Sequence, residues 1–291
     1  MNPASGSHDP ALPNRLEAVA AAHGATISRT IRFPDEPLPT ARQLDDAGVR
    51  RLVIHTGDGT INAAASALAG WSGALLVLPG GTLNLLARRL HGNAAPEAIL
   101  EAALSGSART SPIPMIAGID SATEIAALVG VFAGPTTAWG DVRETLRRRD
   151  LSGLAEAVPR ALNQTFDGDQ VRLDDGADGE ADSESVSYPA IYAEPFASAD
   201  GPCLRLMGFL ADGAAELFHH GFAWLGGDFR NGPNQSLGER KEAVIRCDGD
   251  SMGLLVDGER GHDGGRLMLR AVDSPLAFVA TRGDRPAEAA P

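Results

Sequence analysis

The sequence predicts an α/β amino-terminal domain built on a parallel sheet, followed by a mostly antiparallel β-sandwich domain. Three observations carry this. Strand-like apolar runs alternate with helical patterns over the first hundred residues. Two of those strands end in glycine-rich turns that lead straight into helices. Beyond about Ser111, short strand-like runs separated by Gly and Asp turns take over. The expected division is 1–112 for the α/β domain, 113–281 for the β-rich domain and 282–291 for a disordered polar tail.

In order, Leu12–His23 reads as a helix stopped by Gly24, and Ala25–Phe33 (ATISRTIRF) alternates like a strand. Thr40–Ala47 has a helical pattern, and Arg51–His55 (RLVIH) is a short buried strand. After the loop TGDGT comes the small-residue helix Ile61–Ala69, then strand Ala74–Leu78, the turn Pro79-Gly80-Gly81 and helix Thr82–Leu90. Pro96 opens a further helix, PEAILEAALSG. Helices are expected over Pro135–Arg148 and Leu151–Leu162. After them come strand-like VRLD, SYPAIYAE, CLRLMGFLA, EAVIRC, GLLVDG, RLMLRAV and PLAFVA.

Composition narrows the function. The chain has 291 residues, 43% hydrophobic and 22% charged, enough apolar content for real cores. Its formal charge of −13 argues against a nucleic-acid partner, whose binding rests on neutralising phosphates. The acid is concentrated in residues 167–184, which read as a solvated hairpin loop without the spacing of a calcium-binding EF-hand. Cys203 and Cys247 stand apart from any CxxC or Cys/His cluster, so buried inert thiols are expected rather than zinc ligands. With no signal-peptide pattern and no long apolar run, a cytoplasmic protein is expected. Lys241 is the single lysine, and no Walker-type GxxxxGK[ST] loop exists. A phosphate site in the first 240 residues would therefore rely on backbone N–H groups, hydroxyls and arginine.

Two segments point to such a site. His55–Asn62 (HTGDGTIN) joins a buried strand to a helix. Its glycines let the backbone approach a ligand, and the helix start offers unpaired N–H groups and partial positive charge. Asp58 in that turn suits a metal, a water-mediated metal contact or proton acceptance; an ordinary βα turn capped by aspartate is the plainer reading. Leu78–Asn84 (LPGGTLN) repeats the pattern in the neighbouring unit, and two such turns together suggest a nucleotide phosphate cradle.

The residues Asn2-Pro3-Ala4-Ser5-Gly6, Thr56–Asn62 (TGDGTIN), Pro79–Asn84 (PGGTLN) and Asp257-Gly258-Glu259 appear in this order from 2 to 259. In them the chain resembles the diacylglycerol kinase catalytic-domain family, which includes bacterial soluble lipid kinases, sphingosine kinases and ceramide kinases. GDGT alone is also similar to NAD kinases and phosphofructokinases. The resemblance implies an ATP-binding α/β domain, a β-sandwich domain, an active site in the cleft between them, and Mg2+-dependent phosphoryl transfer to a lipid hydroxyl. It implies that Asn2, Ser5, Thr56, Gly57, Asp58, Gly59, Thr60, Ile61, Asn62, Gly81, Thr82 and Asn84 form the nucleotide site. Glu259 would be the general base, with Asp58 a metal-linked or alternative base. Chemistry agrees, since a lipid hydroxyl is a poor nucleophile and a carboxylate in reach accepts its proton. Thr56 stands where the family has its first glycine, Ala63 where an acid often follows, and Leu85 where aspartate is usual.

The expected partners are a lipid alcohol, diacylglycerol-like or sphingoid, and a transient contact with the inner membrane surface. The alternatives are an NAD-kinase-like small-molecule kinase and a nucleotide- or lipid-binding protein with weak catalysis. Weaker signals are His219-His220, read as a solvated or core-edge pair rather than ligands, and Arg147-Arg148-Arg149, which favours a helix C-terminus or lipid phosphates.

Overall fold

The computed structural model of the chain describes residues 9–81, 84–120, 123–134, 168–174, 186–209, 234–261 and 264–282. The expected helices over 135–148 and 151–162, His219-His220, Arg147–Arg149, and the acidic segment beyond Asp174 lie outside the described residues, as does the tail from 283. The chain forms two compact units, one from Met1–Ile113 with Asp273–Pro291 and one from Pro114–Val272.

The first unit comprises α1 (Leu12–Ala22), α2 (Ala41–Asp46), β1 (Arg51–Thr56), α3 (Asp58–Ala67), β2 (Ala74–Pro79), α4 (Leu85–His91), α5 (Pro96–Leu104), β3 (Arg109–Ser111) and, from the far end of the chain, β15 (Ala277–Ala280). Its sheet has the order β1-β2-β15-β3. The first three strands run parallel, and β3 pairs antiparallel with β15. β2 is apolar throughout because a parallel strand is covered on both faces. On one face Leu76, Leu78 and Val279 pack with Leu12 and Leu16 of α1 and with Ile99, Leu100 and Ala103 of α5. Leu75, Val77 and Phe278 alternate to the other face and are fully buried there. Local chemistry fixes the helix starts: Thr40 and Gln43 form a reciprocal capping box at α2, and Pro96 opens α5.

The second unit is a sandwich. Its strands are β4 (Pro114–Asp120), β5 (Thr123–Ala127), β6 (Val131–Ala133), β7 (Val171–Asp174), β8 (Ile191–Ser198), β9 (Gly201–Phe209), β10 (Asn234–Arg240), β11 (Glu242–Cys247), β12 (Leu254–Val256), β13 (Glu259–Arg260) and β14 (Arg266–Asp273). One sheet has the order β10-β9-β8-β6-β12-β13 and the other β5-β4-β14-β11-β7. Alternate residues of both meet in one core. Val131, Ile191, Ala193, Leu204, Leu206 and Leu254 from the first pack on Ile116, Val171, Ile245, Leu267 and Leu269 from the second. On the other face of the six-stranded sheet, Arg205 donates to Glu194 at 2.9 Å and to Glu239 at 3.0 Å. Its guanidinium also stands 4.6 Å above the Phe196 ring.

Three sequence expectations change. Ala25–Phe33 is not in a ladder among the described residues, because alternation marks a chain able to pair and β1 pairs there only with β2. PLAFVA, assigned by sequence to the β-rich domain, supplies β15 to the first sheet, where Phe278 is buried between β2 and β3. Residues 109–133 and 234–240 carry five strands that the sequence pattern did not mark. Cys203 and Cys247 are both free thiols; Cys247 is buried as expected, whereas Cys203 is only half-buried. Among the described residues no helix is long and apolar enough to cross a membrane.

Candidate active site

β1 and β2 end side by side, with Thr56 the register partner of Pro79. Each strand is followed at once by glycine. Gly57 is the N-cap of α3, and no side chain caps that helix. The first N–H groups of α3 sit where the helix dipole favours an anion. Gly80 and Gly81 bring the second turn hard against the first. A Cβ on Gly80 would lie 2.5 Å from the Thr56 backbone nitrogen, and one on Gly81 would lie 2.6 Å from the Gly57 Cα. The two turns are in backbone contact, which explains glycine at both positions.

Asp58 locks this arrangement. It is buried at the start of α3, and its two carboxylate oxygens accept from the backbone N–H groups of Leu85 and Leu86, each at 3.0 Å. Those are the first amides of α4, so an acid of the first turn caps the helix that leaves the second. Asn84 completes the second turn. It adopts a left-handed conformation, φ 51°, and its Oδ1 accepts from the Gly81 N–H at 2.6 Å.

The remaining sequence candidates divide. Gly59, Thr60 and Asn62 lie half-buried along the first turns of α3. Thr56 is buried and its hydroxyl donates to the Gly57 carbonyl at 3.0 Å. Ile61 is a core residue, 1% exposed, and its N–H donates to the Gly57 carbonyl within the helix. Any part it takes in ligand binding is through packing beneath the turn. Asn2, Ser5 and Thr82 lie outside the described residues.

The Asp257-Gly258-Glu259 motif belongs to the second unit. Asp257 and Gly258 both have positive φ, 50° and 82°, the backbone of a two-residue hairpin turn joining β12 to β13. Val256 and Glu259 face each other across it. Glu259 is exposed on this short strand. Asp257 is buried, and its carboxylate accepts from the N–H groups of Leu128, Val129 and Gly130 at 2.8, 2.8 and 3.0 Å. The motif points to Glu259 and assigns Asp257 no role of its own. Asp-Gly marks the hairpin, but its partners lie 127 to 129 positions earlier in the chain. Among the described residues no group of three or more His, Cys, Asp or Glu is placed to hold a metal ion.

Comparison with known proteins places this geometry. Residues 1–115 match the family model of the diacylglycerol kinase catalytic domain. No curated protein matches the sequence. Among solved structures, the chain is similar to a diacylglycerol kinase from Bacillus anthracis str. Sterne, with 13% identity and a TM-score of 0.59 over 96% of this chain and 94% of that one. Two further structures from the same organism align at 14% and 12% identity, each with a TM-score of 0.57. They cover 96% and 99% of this chain and 93% and 96% of theirs. Residues 1–115 thus resemble the diacylglycerol kinase catalytic domain, and the chain shares the fold of these bacterial proteins.

Proposed function

We propose that the protein is a lipid kinase that transfers the γ-phosphoryl group of ATP to the hydroxyl of a lipid alcohol, diacylglycerol-like or sphingoid. The observation that carries this reading is the backbone contact between the Gly57 and Gly81 turns, at the carboxyl ends of adjacent parallel strands and beside the start of α3, whose N-cap is Gly57. The cradle is made of backbone N–H groups, which suits the phosphates of a nucleotide in a chain with one lysine. ATP with Mg2+ supplies an activated phosphoryl group whose leaving charge is spread over phosphate oxygens and metal.

The protein's own part is positioning and proton acceptance. The amides at the start of α3 hold phosphate oxygens, with Gly57 and Gly81 leaving the space for close approach. Asp58 keeps the second turn in place. Glu259 accepts the proton from the lipid hydroxyl as its oxygen bonds to phosphorus and the bond to the departing phosphate breaks. The match of residues 1–115 favours this class over an NAD-kinase-like enzyme, which shares the GDG turn. An interfacial lipid substrate also calls for transient contact with a membrane surface. With a net charge of −13 that contact would be apolar rather than electrostatic.

The test is transfer of labelled γ-phosphate from ATP to a mixed-lipid extract in detergent micelles, wild type beside Glu259→Gln, with NAD as a parallel acceptor. A labelled lipid made by wild type and lost in the variant supports the reading. Labelled NADP would move the protein to the small-molecule kinases, and ATP-analogue binding without turnover would make it a binding protein.

A further inference from the structure

We propose that Asp257 is a positioning residue for Glu259, a role that rests on the reading of Glu259 as the base. A hairpin turn alone does not need what Asp257 provides. The two-residue turn requires positive φ at both central positions, and glycine meets that at lower cost than aspartate. Yet Asp257 holds φ 50° while almost wholly buried. Its carboxylate collects three consecutive backbone N–H groups, from Leu128, Val129 and Gly130. Its own N–H donates to the Gly130 carbonyl at 2.9 Å. The turn is thereby tied, through four hydrogen bonds, to the segment that leads directly into β6.

That segment is itself fixed from the other side. The Tyr192 hydroxyl donates to the Val129 carbonyl at 3.3 Å, and Gly130 leaves room for that ring, since a Cβ there would lie 2.4 Å from the hydroxyl. Val131, the next residue, pairs with Val256, the last residue before the turn. Glu259 by contrast stands on a strand of two residues at the sheet edge, held by two register pairs to β12. Glu259 is an exposed residue, so burial does not hold its side chain. What fixes the backbone from which it projects is the Asp257 clamp two residues earlier. A proton acceptor must be held near the reacting hydroxyl, and small displacements are costly in rate.

Two variants separate this role from that of a turn former. Asp257→Gly keeps the permitted backbone and removes the carboxylate. Asp257→Asn keeps the Oδ1 that serves Val129 and Gly130 and puts an amide NH2, a donor, where Oδ2 accepts from Leu128. With ATP and the mixed-lipid extract in detergent micelles, Asp257→Gly is expected to lower kcat for lipid labelling by about tenfold or more. The KM for ATP should stay within about twofold, and Asp257→Asn should fall between that variant and wild type. In a Glu259→Gln background, measured by single-turnover label transfer, Asp257→Gly should add little, because a misplaced base and an absent base fail in the same way. Hydrogen exchange at Leu128–Gly130 should accelerate in Asp257→Gly. Should that variant not fold, the Asp257→Asn cycle with Glu259→Gln decides alone.

A wild-type kcat in Asp257→Gly overturns the proposal, as does full multiplication of its loss with that of Glu259→Gln. Wild-type activity in Glu259→Gln alone overturns instead the assignment of the base, and the positioning role falls with it.

Discussion

Gly57 and Gly81, 24 positions apart in sequence, meet backbone to backbone, so that a methyl group on Gly81 would stand 2.6 Å from the Gly57 Cα. The contact binds two βα turns into one surface. Gly81→Ala should therefore cost about 1–3 kcal/mol of stability through overpacking and weaken binding of an ATP analogue. Gly80→Ala, whose Cβ would meet the Thr56 backbone nitrogen at 2.5 Å, should behave alike. Urea unfolding and calorimetric titration with the analogue check both. Unchanged affinity in a stably folded Gly81→Ala would remove that turn from the nucleotide site.

Asp58 offers a second prediction. With both oxygens bonded to the first amides of α4, its loss leaves two N–H groups without their acceptor. Asp58→Ala should lower the unfolding free energy by about 2–3 kcal/mol and weaken ATP-analogue binding with it. A variant of undiminished stability that lost only kcat would point to proton transfer at Asp58 instead.

His91 gives a pH dependence. It is buried, Thr281 brings both its N–H and its hydroxyl to the Nδ1 atom, and burial holds the imidazole down at about 4 against the ordinary 6.5. In the unfolded chain this histidine takes up a proton near pH 6.5 while in the folded one it stays neutral, so stability falls as pH drops from about 6.5 to about 4. The loss is worth up to about 3 kcal/mol. Urea midpoints at pH 7 and pH 5 should show the decline, and His91→Gln should flatten it.

The Glu194–Arg205 pair gives the last. Glu194 is nearly buried, with Arg205 its cross-strand neighbour at 2.9 Å. Arg205→Met should destabilise the second unit by about 2 kcal/mol, because it leaves a buried carboxylate short of its cation. Adding Glu194→Gln should recover part of that loss in chemical denaturation. If the single variant is as stable as wild type, the pair contributes nothing.

Legibility in the sequence followed the range of the interaction involved. α1, β1, α3, β2 and α5 were readable because periodicity, proline and glycine act within a dozen residues; Ala74–Leu78 is apolar whichever way it faces. The strands between Arg109 and Ala133 were not. Segments such as RTS and VFA are too short for a period, and PMIAGID mixes glycine and aspartate into its run. PLAFVA was readable as a strand but not as a member of the first sheet, since the sheet a strand joins is decided by contacts across some 200 residues. The same held at the site. The two glycine turns and the Asp257-Gly258-Glu259 motif were visible in the sequence, while the tasks of Asp58 and Asp257 depend on amides 27 and about 128 residues away.

The place of β15 has a consequence for how the protein is made. Its strand lies between β2 and β3, inside the first sheet rather than at its margin. On the ribosome, residues 1–113 emerge with β2 and β3 unable to join. The whole of 114–272 must follow before residues 277–280 arrive to fill the gap. The later unit can thus fold while the earlier one still has open strand edges, reversing the usual amino-to-carboxyl order of domain folding. A fragment ending near residue 115 would carry the matched family segment without one of its inner strands, and would expose edges prone to association. Synthesis that stops short of residue 277 leaves the two glycine turns without the complete sheet that supports them, so only chains that reach β15 should hold those turns together.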